Sequence, residues 1–309
     1  MRVFVTGASG FIGAAVTKDL ISHGHEVIGL ARNDSSADTI TKLGGTPHKG
    51  HLFDLDSLKI GAASADAVIH LAFVHDFSGP DSPTNNCATD RDAISAMGEA
   101  ISGTGKPFII ASGTLGLQEA DGKPATEDTP GPRGSGFFDR TLSADLVQRL
   151  SKEQNIRGMV VRLAPIVHEN GRGGFLTILP PIFRQAGFAG YIGDGENVWP
   201  AAHNQDIAVL FRLALEKGTA GAIYHGTSEE AVKTKDIVEA VGKKMGLSVE
   251  SKSVEEAAVL GFVAHVLVMN DPTSSVKTQR ELGWKPVQRG LLEDIEKGEI
   301  GDIDARNAK

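Results

Sequence analysis

This 309-residue sequence has one cysteine, two tyrosines, aromatic side chains at only 6% and no apolar run of bilayer length. With Cys87 alone, no internal disulfide can form and a structural zinc cluster lacks its usual thiolates, so no metal is expected. The segment around it, PTNNCATDRD, supplies no evident base, which makes the thiol packing rather than a nucleophile. No stretch approaches the ~20 apolar residues that span a bilayer. Met1 to Val5 already read as a strand, which leaves no room for a targeting peptide. A cytoplasmic protein with no membrane partner is the expectation. Basic charge is also scarce: a net charge of −8 opposes a phosphate-backbone partner, so no nucleic acid is expected and a small molecule is.

What the chain does have is glycine, 37 of them, punctuating apolar runs. RVFVTG, HEVIGLAR, DAVIHLAF, KPFIIASG, RGMVVRLAP and GAIYHGT read as buried strands, because nearly continuous hydrophobicity is what a parallel sheet covered on both faces requires. Between them lie segments such as FIGAAVTKDLISHG and FDRTLSADLVQRLSKEQN, with apolar residues at spacings of three and four. These are crossover helices, and the fold class is α/β, a Rossmann-type doubly wound parallel sheet. After VVRLAP the rhythm loosens. The reading is therefore a nucleotide domain over 1–163 with 201–227, and a smaller substrate-binding part over 164–200 with 228–309.

VTGASGFIG carries Gly7, Gly10 and Gly13 between a strand and a helix. Gly7 permits the tight turn, Gly10 lets backbone amides approach a pyrophosphate, and Gly13 lets the helix pack on the strand. Ser9, Phe11 and Ile12 complete this loop. At the end of the second strand an acidic residue would bind a ribose diol and repel a 2′-phosphate; here Arg32 stands in GLARND, with Asp34 two residues farther on. The expected cofactor is NADP, with NAD as the alternative, and a solvated surface Arg32 is the plain reading against it.

The motifs TGASGFIG, DAVIHLA, ASGTLGL, VVRLAPIVHENG, GYIGDGENVWPAAHNQDIA and AGAIYHG together resemble the extended short-chain dehydrogenase/reductase superfamily, in its NAD-dependent epimerase/dehydratase-like branch and an atypical subgroup of it. The resemblance runs to about Trp284. It implies that Ser112 is the serine or threonine that hydrogen-bonds the reacting oxygen, with Thr114 two residues later. It puts Ala72 along the nicotinamide ribose, and Leu71, Pro165 and Val167 in cofactor-contacting segments. His51 stands where the family has an aspartate near adenine, followed by Leu52.

In typical members a tyrosine, with a lysine four residues later, moves the proton, because the ammonium lowers the phenol pKa. Here Gly136 falls in the tyrosine position and Arg140 in the lysine position. Both tyrosines, Tyr191 and Tyr224, lie far downstream. Arg140 is either a ribose-binding or oxyanion-stabilising cation or a solvated helix charge; it is no base near neutral pH. His168, in the loop where the family has V-Y-G, is the candidate proton carrier, weighed against a hydrogen-bonded structural histidine. Tyr191 and Trp199 line a substrate pocket or pack in a core. His203 packs beneath the site or lines it, Asp206 caps a helix, and Arg172 in a loop is a candidate for an anionic group.

The function these readings favour is an NADP-dependent oxidoreductase acting on a small-molecule carbonyl or alcohol. A non-catalytic NADP-binding sensor and a non-redox isomerase or lyase are the alternatives, and the chain is expected to be a monomer or homodimer.

Overall fold

The structure is a computed structural model that describes residues 1–300 apart from 76–78, 80, 120, 121 and 135. Positions 301–309 of the polar tail lie outside the described residues.

Seven parallel strands form the central sheet: β1 (Arg2–Thr6), β2 (Glu26–Ala31), β3 (Thr46–Lys49), β4 (Ala67–His70), β5 (Pro107–Gly113), β6 (Arg157–Leu163) and β10 (Ile223–Gly226), in the order β10-β6-β5-β4-β1-β2-β3. Successive side chains of a strand face opposite sides, and here both sides are dry. From β1, Val3 and Val5 join a core with α1 (Phe11–Ser22) and α7 (Asn204–Lys217). Phe4, between them, points into a second core with α3 (Leu55–Ala63), α4 (Ser82–Ala100) and α5 (Arg140–Glu153). This double burial is why the strands read as unbroken apolar runs.

The strand order reverses beside β1: β2 and β3 lie to one side, β4 to the other. At such a switch point the loops after neighbouring strands diverge and leave a crevice at the C-terminal edge. The loops after β1, β4 and β5 meet there.

The rest of the chain builds a third core. It holds β7 (Ile166–His168), β8 (Phe188–Ile192), β9 (Val198–His203), β11 (Glu229–Lys233) and β12 (Ser248–Lys252), as a three-stranded sheet β11-β9-β7 and a two-stranded pair β12-β8. Helices α6 (Phe175–Ala186), α8 (Thr234–Met245), α9 (Phe262–Leu267) and α11 (Leu291–Lys297) pack on them. The loosened stretch after VVRLAP thus contains a helix, α6, despite Pro180 and Pro181 in its interior. Leu176, Leu179 and Phe183 recur on its buried face, and that packing outweighs the backbone donors lost at the prolines. The two remaining helices, α2 (Asp34–Lys42) and α10 (Val276–Leu282), cover the first core. No helix among the described residues is long and apolar enough to cross a membrane.

Candidate active site

The glycine turn is built by contacts that leave no room for a β-carbon. Gly7 has φ +71°, and a Cβ there would lie 2.9 Å from the Ala72 nitrogen. At Gly13 a Cβ would lie 1.9 Å from the Gly7 carbonyl oxygen, so α1 presses directly on the turn. Gly10 is the N-cap of α1 and supplies no side-chain cap, so the first-turn amides are left for a ligand.

Beneath the turn, Thr6 fixes the spacing between β1 and β4. Its Oγ1 accepts the amides of Leu71 (3.2 Å) and Ala72 (3.1 Å) and lies 2.7 Å from His70 Nδ1. Two amides occupy the hydroxyl's lone pairs, so its proton goes to Nδ1 and the imidazole proton sits on Nε2. That N–H donates to Asp90 Oδ1 at 3.1 Å, and Ser143 Oγ donates to the other oxygen at 2.6 Å. Burial opposes ionisation of Asp90, but the bond from His70 and the charge of Arg140 outweigh it and hold the carboxyl below its usual range. A buried relay thus ties β1 to α5, the helix that opens with Arg140.

Two cavities adjoin at this edge. The first, about 630 Å³, is lined by Gly7, Gly10, Phe11, Ile12 and Gly13, by Leu71, Ala72 and Phe73 after β4, and by Arg172 and Glu299 at its rim. The second, about 540 Å³, is lined by Leu115, Pro165, Val167, Phe175 and Ile178 and by Phe262 and Val266 of α9. Ser112, Arg140, His75 and Thr177 line both.

At that junction Ser112 is 8% exposed at the end of β5. Arg140 donates through one terminal nitrogen to the Ala111 carbonyl at 2.8 Å and lies 4.2 Å over the Phe73 ring. Its Nε is buried and has no hydrogen-bond partner among the described residues. Burial, and then the positive charge of Arg140, lower the pKa of His75, so its imidazole is neutral near pH 7. Gly136, in the position of the family tyrosine, has φ +71°, and its carbonyl accepts from Cys87 Sγ at 3.7 Å. Burial lifts that thiol to about 11, which leaves it un-ionised.

Several expected site residues lie elsewhere. Thr114 is fully buried, its hydroxyl donating to Asp271 Oδ2 at 3.1 Å, and it lines neither cavity. His168 is also turned inward, 3.2 Å from Asp294 Oδ2 and edge-on to His203. A carboxylate from α11 has drawn it away from the cleft, so it cannot exchange protons with a substrate there. Burial opposes ionisation of Asp294, yet the adjacent His168 and the bonds from the Gly171 amide and Arg289 hold its carboxyl far below the usual range. Trp199 is fully buried, with Nε1 donating to the Met269 carbonyl, and is core rather than pocket wall. Tyr191 faces Lys235 (5.7 Å) and lines neither cavity. His203 lies beneath the site as the N-cap of α7, accepting the Gln205 amide at 3.2 Å. Asp206 is therefore not the cap: it sits within the first turn and accepts the amides of Val287 (3.0 Å) and Gln288 (3.1 Å).

Arg32 is exposed just past β2, on the same sheet edge but outside the lining of either cavity. Its neighbour Asn33 caps α2, and Asp34 is the first helical residue. His51, tilted against Phe53, and half-buried Leu52 lie farther along that edge, and Ser9 sits in the glycine turn; none lines a cavity. The sequence reading missed His75, three residues beyond Ala72 in HLAFVH. Its signal was legible, a titratable side chain just past the C-terminal end of a parallel strand. Thr177, Phe175, Ile178, Phe262 and Val266 carry no motif.

The chain belongs to the NAD dependent epimerase/dehydratase family, which it matches over residues 3–225. Uncharacterized protein C2A9.02 of Schizosaccharomyces pombe is 43% identical over 96% of this chain and 98% of that one. Sterol-4-alpha-carboxylate 3-dehydrogenase, decarboxylating, of Dictyostelium discoideum is 27% identical over 80% of this chain and 77% of that one. The crystal structure of DesIV, a dTDP-glucose 4,6-dehydratase from Streptomyces venezuelae with NAD and TYD bound, shares the fold at a TM-score of 0.77 and 19% identity, covering 96% of this chain and 95% of that one. The family depends on a nicotinamide cofactor. The residues present fit one: the turn at Gly7, Gly10 and Gly13 is a cradle that β-carbons would fill, and Arg140 offers an unused donor in the cleft wall.

Proposed function

We propose that this protein is an NADP-dependent oxidoreductase interconverting a small-molecule carbonyl and its alcohol. The observation that carries the reading is that Ser112, Arg140 and His75 line both cavities at their junction, so a reacting oxygen there faces a hydroxyl, a cation and an imidazole together. A bound nicotinamide cofactor would supply or accept the hydride. Residues 7–13 would hold its diphosphate, and Arg140, which lines the same cavity, would hold its ribose. Arg32, at the end of β2, supports NADP over NAD, since a guanidinium there suits a 2′-phosphate.

Ser112 donates to the reacting oxygen, and Arg140 stabilises charge developing on it without changing protonation state. In reduction the carbonyl carbon gains hydride, its π pair moves to oxygen, and that oxygen takes one proton, delivered through His75. In oxidation the neutral imidazole takes the alcohol proton. Because the pKa of His75 lies below its ordinary value, oxidation should weaken as pH falls through that pKa, while reduction should gain.

Following NADPH absorbance with a panel of aldehydes and ketones tests the reading. Consumption is expected, and Ser112→Ala should lower kcat/KM by about 10²–10³, the usual loss for one oxyanion donor, with NADPH affinity unchanged. Tight NADPH binding with no consumption by any carbonyl would instead point to a sensor or a non-redox isomerase, a reading that Gly136 in the tyrosine position favours.

A further inference from the structure

The second cavity has a distribution of chemistry that the redox reading does not use. Its polar lining, Ser112, Arg140, His75 and Thr177, is shared with the first cavity and gathered at the junction. Away from that junction the walls are Leu115, Phe175, Ile178, Phe262 and Val266. The spacing explains this: Phe175 and Ile178 are three apart on α6, and Phe262 and Val266 four apart on α9, so each helix presents one apolar stripe. The rest of α9 anchors it, since Val263, Ala264 and Leu267 are buried in the third core.

We infer that the substrate is an apolar carbonyl compound, an alkyl or aryl ketone or aldehyde, with its oxygen at Ser112 and its hydrocarbon body between α6 and α9. A volume of about 540 Å³ is that of a pocket for one drug-sized molecule. A nucleoside-diphosphate sugar does not suit it. Its diphosphate would have to shed water against Ile178, Phe262 and Val266 with no cation beside them among the described lining residues, and an unpaired buried charge is strongly unfavourable. The one cation among its described lining residues, Arg140, sits at the junction, where the reacting oxygen and the cofactor claim it.

This inference rests on the redox reading for its chemistry but not for its binding test. The full chain with NADPH would be titrated calorimetrically with methyl ketones from butanone to decanone, with pyruvate and UDP-glucose as polar probes, and turnover followed in parallel. Affinity and kcat/KM should rise about fourfold for each added methylene until the cavity is full, the equivalent of ~0.8 kcal/mol per buried CH₂. Ile178→Asp should weaken decanone at least tenfold and butanone less than threefold; Phe262→Ser, at a more exposed wall position, should do the same if the first variant fails to fold. A flat ketone series, or tighter binding of pyruvate or UDP-glucose, would overturn the substrate class, even if some carbonyl still consumes NADPH. Length-dependent binding without any consumption would leave the class standing and remove the redox reading. Failure of every ketone to bind would remove the class as well.

Discussion

The two cavities that meet at Ser112 are made of different materials. One includes a wall of backbone: a glycine turn whose spacing is set by Thr6 and the end of β4. The other is walled by side chains from α6 and α9, brought to the strand ends by a separate core. A wall of backbone can be recognised in a sequence, because only glycine tolerates the close approach. Apolar side chains on a wall look like any others that face a core.

Gly13→Ala should have the largest effect on the backbone-built wall. Its new Cβ would meet three backbone atoms of the turn, the nearest at 1.9 Å, and none can move without displacing α1. We expect a loss of stability of about 3 kcal/mol or more, typical of severe overpacking, and no measurable NADPH binding. Chemical denaturation and nucleotide fluorescence would read the two effects.

Asp271, which joins the apolar side to the end of β5 through Thr114, gives the next largest effect. Burial lifts its pKa to about 8, outweighing the bond from Thr114 and the nearby amides of Gly116 and Leu117. Between its unfolded pKa and that value, the folded protein holds a proton that the unfolded chain has released. Stability therefore falls as pH rises from about 4 to about 8, by up to ~1.4 kcal/mol per pH unit, and then levels off. Asp271→Asn should flatten this slope in urea midpoints measured across that window; an unchanged slope would remove Asp271 as its source.

Arg32→Ala sharpens the backbone side. It should reduce the NADPH-over-NADH preference about tenfold, the loss of one charge-assisted contact, and leave NADH affinity unaltered. Equal losses for both nucleotides would mean that Arg32 does not read the 2′-phosphate. The smallest effect belongs to Tyr191→Phe, a residue outside both cavities. Stability should change by less than about 0.5 kcal/mol and turnover not at all.

The central sheet was legible because each strand is buried on both faces, and the glycine turn because Gly7 and Gly13 have no freedom to be anything else. Ser112 could be singled out from its place at a strand end. His75, which we propose as the proton carrier, was not. His168 occupies a suggestive loop, but Asp294 and Glu229 flank it from segments far along the chain, and no local pattern announces them. Trp199 and Tyr191 failed for a related reason: aromatic character does not say which side of a strand faces a ligand. For α6, the proline pair argued against a helix that its packed face nonetheless sustains.

The loop that carries Arg172 to the rim of the first cavity is pinned from a distance. Asp294 accepts the amides of Asn170 and Gly171, the first of these across 124 residues, and the Glu299 amide donates to the Asn170 carbonyl. A ribosome makes Asn170 well before it makes Asp294. All seven strands and the glycine turn therefore precede the rim's tether in synthesis, as does most of the first core, whose Leu282 and Trp284 come only shortly before Asp294.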